Sequence, residues 1–204
     1  MKETLLKNNG VGIRPFRPDD VPLLFEAARE SFNELRAYMS WCGPDYSLED
    51  SRAFIAQCDS AWKKGEQYNF AIFDAQDDTL LGSVGLNHVD RVNRCANIGY
   101  WVRRTRTRHG VATAATRLIA VFGLGKLGLH RLEILVPSNN PASQRVAKKA
   151  GAQFEGVLRN KLMLANEPHD AVLYSVTPED LIAPATPLVA KAATVAPDAS
   201  TLNA

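Results

Sequence analysis

The chain is poor in several features that would have narrowed its function at once. It has three cysteines in 204 residues, Cys42, Cys58 and Cys95, with no CxxC pair among them. An odd number without metal-ligand spacing reads as free, reduced thiols rather than a disulfide framework or a zinc site, so no metal is expected. Apolar runs are broken by charge or glycine well before the roughly 18 residues a membrane span requires. The opening MKETLLKNNG has no apolar stretch of signal-peptide length, so the expectation is a cytoplasmic protein without a membrane partner. Net charge is only +2, which says little about partners; there is also no internal repeat, and Arg103–Thr116 is neither GxGxxG nor GxxxxGK[ST].

Positive charge is local instead. RRTRTRHGVATAAT, Arg103–Thr116, sets four arginines within six residues ahead of a glycine and a run of small residues. A strand end, a donor-rich turn and a helix starting at Gly110 together make an anion site. The first helical amides lack intrahelical partners, and the helix dipole adds partial positive charge there. Gly110 admits a phosphate to the backbone, Ala112 keeps the next turn thin, and Arg103, Arg104, Arg106 and Arg108 offer forked donors. A solvated arginine loop is the competing reading of this segment taken alone.

The hydrophobic period gives the order of elements. Gly12–Phe16 reads as a strand, and Pro18-Asp19-Asp20 opens a helix carrying Val21, Leu24, Phe25 and Ala28. Leu35–Pro44 is irregular and aromatic. Ser47 with Asp50 forms a capping-box-like start to a helix bearing Phe54, Ile55, Cys58 and Trp62. Strands follow at Tyr68–Asp74 and Leu80–Val89, joined by a hairpin at Gln76-Asp77-Asp78, then at Ala96–Val102. The helix after Gly110 is expected to stop at Gly123 and Gly125. Leu132–Val136 is a strand, and Asn140-Pro141 caps a helix ending at Gly151. Short strands at Phe154–Leu158 and Ala171–Val176 close the domain, with a strand end and turn at Met163–Glu167 between them. This order indicates an α+β (mixed α/β) fold. Residues 183–204 hold eight alanines, three prolines and two charges, a tail by composition after a domain at 1–182.

In SNNPASQRVAKKAGAQFEGVLR, Ser143 shares a helix face with Val146, Ala147 and Ala150 and so points toward the sheet. By itself it could equally be a small residue bonded to the carbonyl one turn back. Trp101, likewise, is first of all a core aromatic.

Taken together, these stretches resemble the GNAT superfamily of acyl-CoA-dependent N-acetyltransferases, most closely its ribosomal-protein-alanine branch. Thr107-Arg108-His109-Gly110-Val111-Ala112 occupies the Q/R-x-x-G-x-G/A signature, and Gly99-Tyr100-Trp101-Val102 is the aromatic strand ending of that branch. Asn140, Ser143, Val146 and Gly151 fit its N-x-x-S-x-x-V helix, followed by Glu155-Gly156-Val157-Leu158-Arg159. Ile13–Phe16 with Asp20, and His169–Val176, also fit, so the likeness spans roughly residues 10–180. There are two departures. Thr107 stands where Gln or Arg is usual, and Leu162 stands where ribosomal-protein members carry a glutamate base.

The resemblance implies a single domain whose mixed, twisted sheet splays between its fourth and fifth strands, with helices on both faces. It implies acetyl-CoA as co-substrate, held by Tyr100, Trp101 and Val102, by Arg108, His109, Gly110, Val111, Ala112 and Thr113, and by Asn140. The pantetheine arm would lie in the splay like an extra strand, a backbone N–H near Val102 would stabilise the oxyanion, and Ser143 would be the catalytic group at the sulfur. Tyr38, Trp41, Asn87 and His88 are candidates for the acceptor pocket. The expected acceptor is the α-amino group of a protein or peptide N-terminus. A small amine (polyamine, amino acid, antibiotic) and a non-catalytic acyl-CoA sensor are the alternatives. The basic stretch Arg91–Arg108 has its aromatics only at the strand end Tyr100-Trp101 and none among the arginines 103–108, so no sequence-specific nucleic-acid partner is expected, and the state is monomer or homodimer.

Overall fold

The computed structural model describes residues 6–8 and 10–182. Eight strands form one sheet in the order β1-β2-β3-β4-β5-β6-β8-β7. They are β1 (Leu6–Asn8), β2 (Val11–Pro15), β3 (Tyr68–Asp74), β4 (Leu80–Asp90), β5 (Cys95–Val102), β6 (Arg131–Pro137), β7 (Gln153–Leu164) and β8 (Glu167–Val176). The helices are α1 (Val21–Glu30), α2 (Phe32–Leu35), α3 (Leu48–Lys64), α4 (Val111–Ala120), α5 (Pro141–Ala150) and α6 (Pro178–Ile182). The expected mixed fold with helices on both faces is what forms. The expected tail, 183–204, lies outside the described residues.

Every described strand pair is antiparallel except β5–β6. A parallel pair needs a long crossover, and α4 supplies it. Alternation along the strands then divides the core. Phe70, Ile72, Val84, Leu86, Ala96 and Ile98 face α4 and α5 with Val111, Ala115, Ile119 and Ala147. Ala71, Leu80 and Trp101 face the other way, packing with Val21, Leu24, Ala28, Leu35, Tyr46 and Ile55 of the α1–α3 layer. No described helix is long and apolar enough to cross a membrane.

Local signals in the chain explain most boundaries. Ser47 Oγ accepts from the Asp50 N–H while Asp50 returns the bond to the Ser47 N–H, and α3 ends on Gly65 in the left-handed region. Asn140 Oδ1 accepts from the Ser143 N–H, Pro141 follows, and Gly151 at φ 101° closes α5.

Three boundaries differ from expectation. Gly123 and Gly125 do not stop the helix; the chain continues through them as a π-helical turn, Val121–Lys126. A Cβ at Gly123 would sit 3.0 Å from a Leu86 methyl and 3.1 Å from one of Leu132, so this glycine is selected for contact with the sheet. The strands at the C-terminal end are longer than expected: β7 and β8 form one hairpin turning at Ala165-Asn166. The third difference is β1, whose three residues were too short to show a period.

One end of α1 is tied to the end of β5. Arg103 donates to Glu30 at 2.6 and 3.0 Å, to Glu26 at 2.8 Å and to the Leu80 carbonyl at 3.2 Å. Thr105 donates its N–H and hydroxyl to Glu30, and the Arg104 N–H donates to Ser31 Oγ. Arg103 is thus structural, which removes it from the expected phosphate donors. Burial alone would raise the Glu30 pKa, but the bonds from Arg103 and Thr105 outweigh it and hold the carboxyl at about 2. A carboxyl depressed on folding contributes stability that is present above its unfolded pKa and lost as pH falls toward the folded value. Glu30→Gln should therefore cost about 1–3 kcal/mol at pH 7, leaving Arg103 half-paired. The cost should shrink between pH 4.5 and 2. Thermal denaturation of both proteins across that range checks it; a cost independent of pH contradicts it.

Candidate active site

Pairing between β5 and β6 covers only Cys95↔Arg131, Ala96↔Leu132 and Asn97↔Glu133. Beyond Asn97 the two strands diverge, although β5 runs on to Val102 and β6 to Pro137. This is the splay expected between the fourth and fifth strands, numbered β5 and β6 here because β1 precedes them. The side chain of Asn97 sits at its apex. Its Oδ1 accepts from the Leu135 N–H at 3.3 Å, and its Nδ2 donates to Asn87 Oδ1 at 2.9 Å. An amide side chain thus replaces the next backbone rung.

The Arg103 N–H donates to the Leu81 carbonyl on β4. Backbone direction alternates along a strand, so the N–H groups of Tyr100 and Val102 face the opposite edge, into the splay. These donors lie open along one wall.

The loop after β5 meets α4 at the mouth of the splay. Gly110 is the N-cap at φ 79°, a conformation that disfavours a side chain, and nothing lies within 4 Å of where its Cβ would be. The Ala114 N–H is the first to bond back into the helix, to Gly110 O, which leaves the amides of Val111, Ala112 and Thr113 as the orphan donors of the first turn. Arg108 also adopts positive φ, 65°, a strained state for a residue with a Cβ. His109 Nδ1 lies 2.7 Å from the Thr107 carbonyl. A carbonyl only accepts, so the proton sits on Nδ1. Arg104 and Arg108 are exposed, and Arg106 lies 3.8 Å from Asp74.

Across the splay, Tyr100 reaches from β5 to the first turn of α5. Its hydroxyl lies 2.7 Å from Ser143 Oγ and 3.2 Å from the Ser143 carbonyl. Burial pushes the phenol up to about 12, so it stays protonated at neutral pH.

A pocket of about 400 Å³ opens on the α1–α3 side of the same strands. Its walls include Leu24, Met39, Trp41, Tyr46 and Phe54; Asn69, Ser83, Asn87 and Trp101 line the sheet side. Trp41, 43% exposed, stands 6.0 Å from Trp101 and 5.4 Å from Tyr46, ring to ring. The paired glycines Gly85 and Gly99 also line it, giving depth where two side chains would otherwise stand. Tyr100 borders this pocket as well as touching Ser143.

Among the residues expected in an acceptor pocket, Trp41 and Asn87 line this one and Tyr38 and His88 do not. His88 is exposed at φ 50°, where the β4–β5 register shifts between Asn87 and Asp90. Expectation missed Tyr46, Asn69, Gly85, Gly99 and Asn97. The two glycines carried a legible signal, since glycine inside a strand pattern marks a close approach to something. Among the described residues no group of three His, Cys, Asp or Glu side chains is placed to hold a metal ion.

The chain matches the acetyltransferase (GNAT) domain family over residues 11–153. This chain is a GNAT acetyltransferase. Membership makes it an acyltransferase enzyme with acetyl-CoA as co-substrate. It is 31% identical over 180 residues to the probable N-acetyltransferase YjcK of Bacillus subtilis, spanning 86% of this chain and 99% of that protein. It is 25% identical over 175 residues to the ribosomal-protein-serine acetyltransferase of Escherichia coli, spanning 86% of this chain and 97% of that one. Among solved structures it is similar to Mycobacterium smegmatis RimJ in complex with CoA-disulfide, with a TM-score of 0.79, 25% identity and 90% of each chain covered.

The glycine pair makes the pocket testable apart from the splay. A Cβ on Gly99 would already lie 3.3 Å from Asn87 Nδ2. Gly99→Val should therefore raise the acceptor KM at least tenfold and leave acetyl-CoA affinity within about twofold, because a filled pocket excludes a ligand by sterics. Steady-state kinetics with a calorimetric titration checks it; an unchanged acceptor KM would move the acceptor elsewhere.

Proposed function

We propose that this enzyme acetylates the α-amino group of a protein or peptide N-terminus. One observation carries the reading: the pocket contains no base able to deprotonate its guest. Histidine, lysine and arginine are absent from its lining, and its one carboxylate is Asp50. Asp50 is already engaged by the Ser47 hydroxyl and the Ser47 N–H, bonds that hold its pKa below the ordinary carboxylate range. Leu162, where the resemblance leads one to look for a glutamate, is paired with His169 in the β7–β8 hairpin. An acceptor here has to supply its own free base. An α-amino group with a pKa of roughly 8 does so, whereas a polyamine or lysine amine at roughly 10.4 is about two-hundredfold less deprotonated at pH 7. Free amino acids and phosphorylated amines fit less well, since their anion meets no cation among the lining residues. The similarity to the ribosomal-protein-serine acetyltransferase of Escherichia coli supports a protein acceptor.

In this reading the orphan amides of Val111–Thr113 and the open space at Gly110 take the phosphates, with Arg104 and Arg108 beside them. The amides of Tyr100 and Val102 face the pantetheine arm and the reacting carbonyl, where they stabilise the oxyanion. Acetyl-CoA supplies an acetyl thioester: the amine nitrogen bonds to its carbonyl carbon, the C–S bond breaks, and the surplus amine proton passes to water. Trp41, Tyr46 and Trp101 exclude bulk solvent around the amine, and Asn87 gives it a polar contact. Ser143 Oγ donates a hydrogen bond to the departing sulfur, whose thiol pKa is near roughly 8.5 and whose anion gains from such a donor.

A panel of N-terminal peptides, free amino acids, polyamines and aminoglycosides decides the acceptor. Peptides should give the highest kcat/KM, and the rate should rise with pH through the range of the α-amine. A polyamine or antibiotic outperforming every peptide would overturn the assignment. Gly110→Asp puts a carboxylate and a strained φ against the phosphates, and should abolish calorimetric acetyl-CoA binding in a protein that still melts cooperatively. Normal binding by that variant places the phosphates elsewhere.

A further inference from the structure

Ser143 is held at three points. Its N–H donates to Asn140 Oδ1 at 3.0 Å, and both its carbonyl and its hydroxyl face the Tyr100 phenol. The phenol has one proton for two acceptors, Ser143 Oγ at 2.7 Å and Ser143 O at 3.2 Å.

Two arrangements satisfy the geometry. In one, Tyr100 donates to the carbonyl and the serine proton is consumed on the phenol oxygen. In the other, Tyr100 donates to Oγ, and the serine proton is free to point into the splay. The second uses the shorter contact, and it alone leaves Ser143 able to donate to an anionic sulfur. A hydroxyl that accepts a hydrogen bond is also the better donor, because linked bonds polarise one another.

We infer that Tyr100 is a positioning residue for acetyl transfer: by donating to Ser143 Oγ it fixes that hydroxyl and directs its proton at the leaving sulfur. This rests on the role proposed for Ser143, and it gives the Tyr100 side chain a task distinct from the cofactor contact expected of it. The remaining geometry agrees. Tyr100 packs against the core on the α4–α5 side, so its ring has a fixed seat from which the hydroxyl reaches across the open splay. It also borders the acceptor pocket, which sets the amine and the serine on opposite sides of one residue.

The test is a double-mutant cycle with Tyr100→Phe and Ser143→Ala, using whichever amine the acceptor panel selects. Phenylalanine keeps the ring and removes only the hydroxyl, and thermal melting verifies the fold of each variant. Ser143→Ala should lower kcat by about ten- to a thousandfold, the scale of a positioned acid–base group. Tyr100→Phe should lower kcat by about three- to thirtyfold with the acetyl-CoA KM within about twofold. In the Ser143→Ala background Tyr100→Phe should have no further effect, because a residue acting through another is silent once that other is gone. The same kcat loss in both backgrounds, or no loss in either, overturns the role of Tyr100 and leaves that of Ser143 standing. Wild-type turnover by Ser143→Ala overturns both.

Discussion

The site depends on one interrupted ladder. β5 and β6 pair over three residues and then part, and nearly everything of chemical interest lies along the gap. Two backbones that diverge inside a sheet leave donors and acceptors without partners, and unpaired buried groups are costly. Here the cost is contained by a side chain. Asn97 takes over the first lost rung by accepting from Leu135, while its other end steadies Asn87 in the pocket on the α1–α3 side. Beyond that point the open amides on β5 are left for a ligand to satisfy.

The helices serve this gap from two directions. α4 starts at its mouth with three orphan amides, and α5 starts opposite Tyr100 with a cap that places Ser143 in its first turn. On the other face, α1 and α3 with the aromatic segment between them make a pocket bounded by the same strands. The splay and the pocket thus share β5, and under the proposed function they hold cofactor and acceptor respectively. A direct transfer needs this arrangement, since reacting atoms have to meet without a carrier.

Much of this was legible in the chain, for reasons that can be stated residue by residue. Caps are local chemistry, so Ser47, Asn140 and Gly151 marked helix ends correctly. Gly123 and Gly125 misled because glycine has two uses; at Gly123 the contact with Leu86 and Leu132 decided, and no local signal reports a contact between distant segments. The run of arginines reads as one donor cluster, yet Arg103 turns inward to Glu26 and Glu30, more than seventy residues earlier in the chain. His88 stands out by type, but the register shift at the end of β4 turns it outward, and such a shift depends on the partner strand. The Tyr100–Ser143 pair joins residues 43 apart and was invisible until the fold brought them together.

The ion pairs around α1, which lines the pocket through Leu24, bear on how firmly that wall is held. At its start Asp20 takes two bonds from Arg14 and one from the Arg17 N–H; at its end Glu30 takes Arg103 and Thr105. A rod clamped at both ends resists rotation about either, so α1 acts as a fixed jamb and not as a door. The neighbouring stretch 36–46, which carries Trp41, has no ion pair among the described residues. Rings and a hydroxyl hold that stretch instead: Trp41 lies against Tyr46 and Trp101, and the Tyr46 hydroxyl is 2.8 Å from Ser51 Oγ, so this wall rests on contacts that carry no charge.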